Sequence, residues 1–173
     1  MNTAIAINKE YALIKNVIFD LSEVVMPGLI GIEARLEEIT GRPRDLIAKA
    51  LGSYPYHEID NNLESLLKGD ITYQDYRSGF MENAGLSEKY EEAFDKECLK
   101  MFESSYSHTQ EMIQQVAKSC DLYLLSDHCE IWANHIQNQH DFFRYFKGTL
   151  WSYEVGAHRK IFTRSAGMSI CRR

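Results

Sequence analysis

Three short apolar runs are set far apart along the chain, and each ends in small or acidic polar residues. Lys15-Asn16-Val17-Ile18-Phe19-Asp20 places three consecutive β-branched or aromatic residues before a carboxylate, the pattern of a buried strand. Asp121-Leu122-Tyr123-Leu124-Leu125-Ser126 repeats that design, and Gly148-Thr149-Leu150-Trp151-Ser152 is the third candidate. Most of the helical signal lies between the first two runs. Ile32, Leu36 and Ile39, then Ile47 and Leu51, recur at helical spacing, interrupted by Gly41 and Pro43. Thr72 is placed to cap a helix running through Gly79-Phe80-Met81. Ser87 opens a charged helix from Glu88 to about Phe102, with Tyr90, Phe94, Cys98 and Met101 or Phe102 on one side. Ser107-His108-Thr109-Gln110 has the form of a capping box ahead of Met112, Val116 and Ala117.

The order is strand, helical block, helix, strand, helix, strand. A helix between consecutive strands implies parallel pairing and a right-handed crossover, hence an α/β fold. In open sheets of this kind ligands bind beyond the carboxyl ends of the strands. Asp20 and Ser126 both fall there.

Composition narrows the classes. The chain has 173 residues, the length of one domain or of a core with a modest insertion. Its 45% hydrophobic and 12% aromatic content supplies a core. With 19 basic against 25 acidic residues the net charge is -6, which disfavours nucleic acid or an anionic membrane as partner. A small anionic ligand stays compatible, because a few local donors outweigh the net field. No apolar run approaches the ~18 residues of a membrane span. The first residues carry Glu10 and too short an apolar stretch for a signal peptide. The four cysteines, Cys98, Cys120, Cys129 and Cys171, show no CxxC spacing. Free thiols in a reducing cytoplasm are the expectation.

The strand ends carry the candidate chemistry. Asp20 is ionised at neutral pH and can attack phosphorus or carbon without a base, giving a covalent intermediate that water resolves. The bland reading, that Asp20 caps the turn after its strand, is about equally open on local sequence. Ser126 offers a hydroxyl and a backbone N–H to an anion, and equally suits a turn or N-cap serine ahead of Glu130-Ile131-Trp132. Ser152-Tyr153-Glu154-Val155-Gly156-Ala157-His158-Arg159-Lys160 brings cations after the third run. It reads as a charge-neutralising segment or as a solvated basic turn. His135 and His140 have the wrong spacing for a zinc pair on one helical face. His128, between Asp127 and Cys129, reads as a first-turn helix residue rather than a catalytic group. Tyr54-Pro55-Tyr56-His57 reads as a turn.

Taken in order, these segments resemble three motifs of the haloacid dehalogenase (HAD) superfamily. Asn16-Val17-Ile18-Phe19-Asp20-Leu21-Ser22-Glu23-Val24-Val25 is similar to the first motif. It is nearest to that of the sugar-phosphate phosphatases and the phosphatase domain of bifunctional epoxide hydrolases. Tyr123 to Trp132 resembles the second motif and Ser152 to Lys160 the third. Lys68-Gly69-Asp70-Ile71-Thr72 fits a turn usual in the family's helical cap. The resemblance implies a three-layer Rossmann-like parallel sheet with an inserted all-helical cap: residues 1–29 and 106–173 as the core, 30–105 as the cap. It implies Asp20 as nucleophile and Mg²⁺ ligand, with the backbone carbonyl of Ser22 as a second metal ligand. Ser22, Ser126 and Asp127 would contact substrate, Ser126 holding a phosphate oxygen. The third-motif cation falls at Arg159 in strict register, or at Lys160 with one extra loop residue.

Two departures shape the functional expectation. Phosphatases of the superfamily usually place a general-acid/base aspartate two residues after the nucleophile, where this chain has Ser22. The residues after Lys160, IFTRSAGMSICRR, contain no acidic residue. The fourth motif's acidic pair is therefore missing, the sheet is expected to be incomplete at the C-terminus, and Mg²⁺ to be weakly held. The first strand would then be an open apolar edge. The leading expectation is a Mg²⁺-dependent phosphatase of a small phosphorylated metabolite, acting through an aspartyl-phosphate and weakened or disabled by truncation. The alternatives are metal-independent carbon–halogen hydrolysis, to which Ser22 is no obstacle, and a non-catalytic truncated chain that forms a homodimer through the unprotected strand.

Overall fold

The computed structural model describes residues 14–52 and 62–157. Three strands, β1 (Asn16–Phe19), β2 (Asp121–Ser126) and β3 (Phe146–Trp151), pair in the order β1-β2-β3 with both pairs parallel. The register matches Val17 to Leu122 and Phe19 to Leu124, then Leu124 to Thr149 and Ser126 to Trp151. All three strands therefore deliver their carboxyl ends to one edge. Parallel neighbours need long crossovers. The first consists of α1 (Ile32–Thr40), α2 (Arg44–Leu51), α3 (Asn62–Lys68), α4 (Tyr73–Asn83), α5 (Glu91–Lys100) and α6 (Thr109–Val116). The second contains α7 (Glu130–Gln139) and a 3-10 turn at Asp141–Tyr145. A single helical turn, α8 (Ser152–Val155), follows β3. Among the described residues no helix is long and apolar enough to cross a membrane.

The period-2 pattern of β2 sorts its faces. Leu122, Leu124 and Ser126 are buried while the residues between them are only half-buried. The buried side joins Ile113 of α6 and Trp132, Ala133 and Ile136 of α7 in one apolar cluster. That cluster continues into the helical block through Leu36, Ile47, Tyr76, Phe80, Phe94 and Cys98. Phe80 and Phe94 stack at 4.4 Å between ring centroids. Tyr73 and Tyr76 meet Trp132 edge-on, so aromatic contacts tie the block to the sheet's covering helix.

Several local expectations hold for the reason given. Thr72 is the N-cap of α4: its hydroxyl accepts from Asp75 N–H at 3.1 Å, and the Asp75 carboxylate accepts from Thr72 N–H at 3.1 Å, a reciprocal capping box. Gly41 ends α1 at φ 69. Gly69 turns at φ 76 so close to Tyr153 that a Cβ would lie 2.9 Å from its carbonyl oxygen. No side chain fits there.

Other expectations are corrected. β1 is not a buried strand: Asn16 and Ile18 are exposed and Val17 and Phe19 half-buried, because β1 is an edge of the described sheet and covers one neighbour only. Ile18 at 43% and Leu150 at 36% exposure mark the uncovered face. The helix opened by Ser87 begins as a 3-10 turn, Glu88–Tyr90, before α5. Ser107-His108-Thr109-Gln110 forms no capping box. His108 is the N-cap at φ 70 without a side-chain cap, and the Thr109 hydroxyl instead donates to the Val25 carbonyl at 2.9 Å. The helix starts one residue too late for the box, which leaves Ser107 outside the N-cap position. The third strand starts earlier than its apolar run, at Phe146, and Ser152 begins α8.

Candidate functional site at the strand ends

Asp20 follows β1 immediately, and its Oδ1 accepts from Leu21 N–H at 2.8 Å. Phe19 pairs with Leu124, so Asp20 lies beside the last residues of β2. Ser126 ends that strand. The two residues singled out in the sequence therefore share one edge of adjacent strands.

The environments of the two differ. Ser126 is 1% exposed and its Oγ has no hydrogen-bond partner among the described residues. An orphaned buried hydroxyl costs ~1–3 kcal/mol, and such groups call for a partner. The loop after Asp20, by contrast, is tied to itself. Val24, Val25 and Met26 N–H groups all point to the Leu21 carbonyl. Glu23 sits at φ 61, a region costly for a residue with a Cβ. Its carboxylate holds the loop there, accepting from Gly28 N–H at 2.7 Å and from the Tyr106 hydroxyl at 3.1 Å. Burial, and then the Glu23 carboxylate, raise Tyr106 above its ordinary value, so it remains a donor.

Ser22 lies two residues beyond Asp20. Its Oγ is 2.9 Å from His128 Nε2. His128 is 3% exposed and precedes Cys129, the N-cap of α7. Its position before the helix corrects the reading as a first-turn helical residue. Phe102 and Trp151 pack edge-on against its ring, with centroids 5.2 and 5.7 Å away. Its backbone N–H donates to Ser152 Oγ at 3.1 Å, and Ser152 donates to the Leu67 carbonyl. Ser152 thus joins the loop after β2, the end of β3 and the end of α3. Gly69, one residue past α3, presses on Tyr153 in the same place. Burial pushes the Cys129 thiol up to about 12. It stays protonated near neutral pH and is no nucleophile.

Arg159 and Lys160 lie outside the described residues, as do Tyr54 to His57 and Cys171. His140 Nε2 is 2.7 Å from the Phe102 carbonyl oxygen, a structural tie. Among the described residues no group of three His, Cys, Asp or Glu side chains could hold a metal. The resemblance would assign a metal to the Asp20 carboxylate and the Ser22 carbonyl at the end of β1, while Asp127, expected to contact substrate, places a second carboxylate directly after β2. They are hard oxygen ligands of the kind Mg²⁺ takes, and Mg²⁺ completes its shell with waters and substrate phosphate when only one or two carboxylates are supplied. The set fits a substrate-completed ion and not an all-protein cage.

Sequence reasoning brought Asp20, Ser22 and Ser126 together but declined His128, and it gave Ser152 and Glu23 no role. Nothing in apolar periodicity marks them. The only local signal was a histidine immediately after the polar end of a strand.

No protein-family model matches the chain, and neither does any curated protein. Solved structures do. A HAD family enzyme from Bacteroides thetaiotaomicron aligns with a TM-score of 0.62 at 20% identity, over 90% of this chain and 80% of that one. The same enzyme in complex with magnesium and inorganic phosphate aligns at 0.55 and 20%, with the same coverage. L-2-haloacid dehalogenase from Xanthobacter autotrophicus, with chloropropionic acid covalently bound, aligns at 0.58 and 10% identity, over 91% of this chain and 66% of that one. Identity this low speaks to architecture, and with three parallel strands delivering Asp20 and Ser126 to one edge, the chain has the fold of the HAD-like hydrolases.

Proposed function

We propose that the chain is a HAD-like hydrolase acting on a small phosphate monoester, with Asp20 as nucleophile. The observation carrying this reading is the shared strand edge, where Asp20 follows one strand and Ser126 ends its neighbour with a buried hydroxyl that has no partner among the described residues. In the first half-reaction an Asp20 carboxylate oxygen bonds to phosphorus as the bond to the departing ester oxygen breaks. The Ser126 hydroxyl donates to a non-bridging phosphate oxygen and so gains the hydrogen bond it lacks. Water then attacks the aspartyl-phosphate, releasing phosphate and restoring the carboxylate. Mg²⁺ bound by the Asp20 carboxylate and the Ser22 carbonyl would neutralise phosphate charge. The loop 21–28 is preset by Glu23, which limits the reorganisation needed during attack. Residues 30–105, with helices α1 to α5, serve as the cap that selects substrate, a role supported by the contacts of Leu67 and Gly69 with Ser152 and Tyr153 of α8. The solved HAD enzyme with magnesium and phosphate supports phosphorus as the centre attacked, and the haloacid dehalogenase of the same fold, with chloropropionic acid covalently bound, supports carbon as the alternative.

The test is phosphate release from p-nitrophenyl phosphate, with and without Mg²⁺, by the unaltered chain and by Asp20→Asn. Mg²⁺-stimulated release that falls by about 10³-fold or more in the variant is expected. Release indifferent to the substitution removes Asp20 as nucleophile. Chloride release from 2-chloropropionate that persists in chelator and depends on Asp20 moves the assignment to carbon–halogen hydrolysis.

A further inference from the structure

Ser22 stands where a two-aspartate phosphatase would place its proton donor, and the structure joins it to a histidine distant in sequence. Its Oγ and His128 Nε2 are 2.9 Å apart across a separation of 106 residues. The contact is built in from both sides. Behind Ser22, Gly28 is buried and so near that a Cβ there would lie 3.3 Å from Ser22 Cβ. Behind His128, the rings of Phe102 and Trp151 clamp the imidazole, and Ser152 holds its backbone. Ser22 is half-buried, at the mouth of the loop that begins with Asp20.

We propose that Ser22, positioned by His128, is the group that meets the departing oxygen, and that this pair restricts the enzyme to phosphate esters whose leaving group is stable as an anion. The proposal rests on the hydrolase reading above. An alkyl hydroxyl donates a hydrogen bond but does not surrender its proton near neutral pH as a carboxyl does. In the first half-reaction the Asp20 oxygen–phosphorus bond forms, and the phosphorus–oxygen bond of the ester breaks. The departing oxygen keeps its electron pair and receives a hydrogen bond from Ser22, taking its proton afterwards from solvent water. Such a step suits aryl, enol or acyl phosphates, whose leaving groups need no acid. Simple alkyl phosphates are poor substrates. His128 is a positioning residue: it fixes the Ser22 side chain against the loop, and the ring clamp fixes His128.

The experiment uses the full chain with a series of ring-substituted phenyl phosphates and glycerol phosphate. For the unaltered protein, kcat/KM should climb steeply with leaving-group acidity, with glycerol phosphate about 10²-fold or more below phenyl phosphate. Ser22→Asp, which installs a carboxyl, should flatten the slope and raise glycerol phosphate turnover. Ser22→Ala and His128→Ala should each lower kcat about tenfold with KM little changed, as expected for one lost hydrogen bond in the transition state. His128→Gln, which can still reach a hydroxyl with an N–H, should retain most of kcat. It also guards against misfolding of the alanine variant, which circular dichroism would reveal. Without substrate, the ¹⁵N resonance of His128 Nε2 should move in Ser22→Ala. An unmoved resonance overturns the contact, whatever the turnover. A flat leaving-group dependence in the unaltered chain, or variants at Ser22 and His128 that match it while Asp20→Asn is dead, overturn the pair and leave the hydrolase reading standing. Turnover indifferent to Asp20→Asn overturns both.

Discussion

The ends of β1 and β2 lie side by side and are built on opposite principles. After β1 the polar groups of the loop answer one another: Asp20 takes Leu21 N–H, Glu23 takes Gly28 N–H and the Tyr106 hydroxyl, and three amides converge on the Leu21 carbonyl. At the end of β2 the Ser126 hydroxyl is buried without a partner among the described residues. One side is preorganised and the other holds an open valence. Under the proposed function, stability sits on the first and phosphate binding on the second, the division expected where a site stores cost to gain binding.

Substitutions can break that contrast, and the largest effect belongs to Asp20→Asn, with turnover lost about 10³-fold while the melting temperature hardly moves. Next comes Glu23→Ala. It removes a charged acceptor from Gly28 and leaves a non-glycine residue at φ 61 unsupported, which should cost about 1.5–3 kcal/mol in denaturant titration. An unchanged midpoint would show that the loop needs no such tie. Ser126→Ala should act in the other sense. Removing an orphaned hydroxyl leaves stability unchanged or raises it by up to about 1 kcal/mol, while affinity for inorganic phosphate, read by calorimetry, falls about tenfold. A loss of stability would mean that the hydroxyl already has a partner in solution.

The smallest effect is a control on a helix outside both ends. Glu97 of α5 is buried between Lys100 and Arg35. The hydrogen bond from Lys100, opposed by burial and aided by Arg35, leaves its carboxyl below the usual glutamate value of 4.5. A depressed folded-state value means stability that is present above 4.5 and lost as pH falls through the folded value. Glu97→Gln should shrink the acid-side loss of melting temperature and leave the phosphate affinity measured for Ser126 untouched.

The contrast between the strand ends also separates what was legible in the sequence from what was not. Asp20 and Ser126 were found because an apolar run ending in a polar residue is a local pattern, and parallel pairing follows from the helices between the runs. Thr72 was legible because an N-cap needs only a local partner, which the structure supplies in Asp75 three residues away. Ser107 to Gln110 looked the same by pattern and failed, because the helix begins with His108 and not Ser107 at its N-cap, while Thr109 is tied to the Val25 carbonyl from 84 residues away. β1 looked buried because its residues are apolar, whereas exposure depends on what packs beside it.

What the sequence determined by itself is the alternation of strands and helices, the acidic balance and the placing of a carboxylate and a hydroxyl at strand ends. These follow from backbone periodicity and hydropathy, which act over a few residues. The tertiary structure decided that Ser22 meets His128, that Glu23 holds a strained turn and that Ser126 is left without a partner among the described residues. Such outcomes depend on which distant groups share a dry pocket once the chain has closed, and no spacing along the chain encodes that meeting.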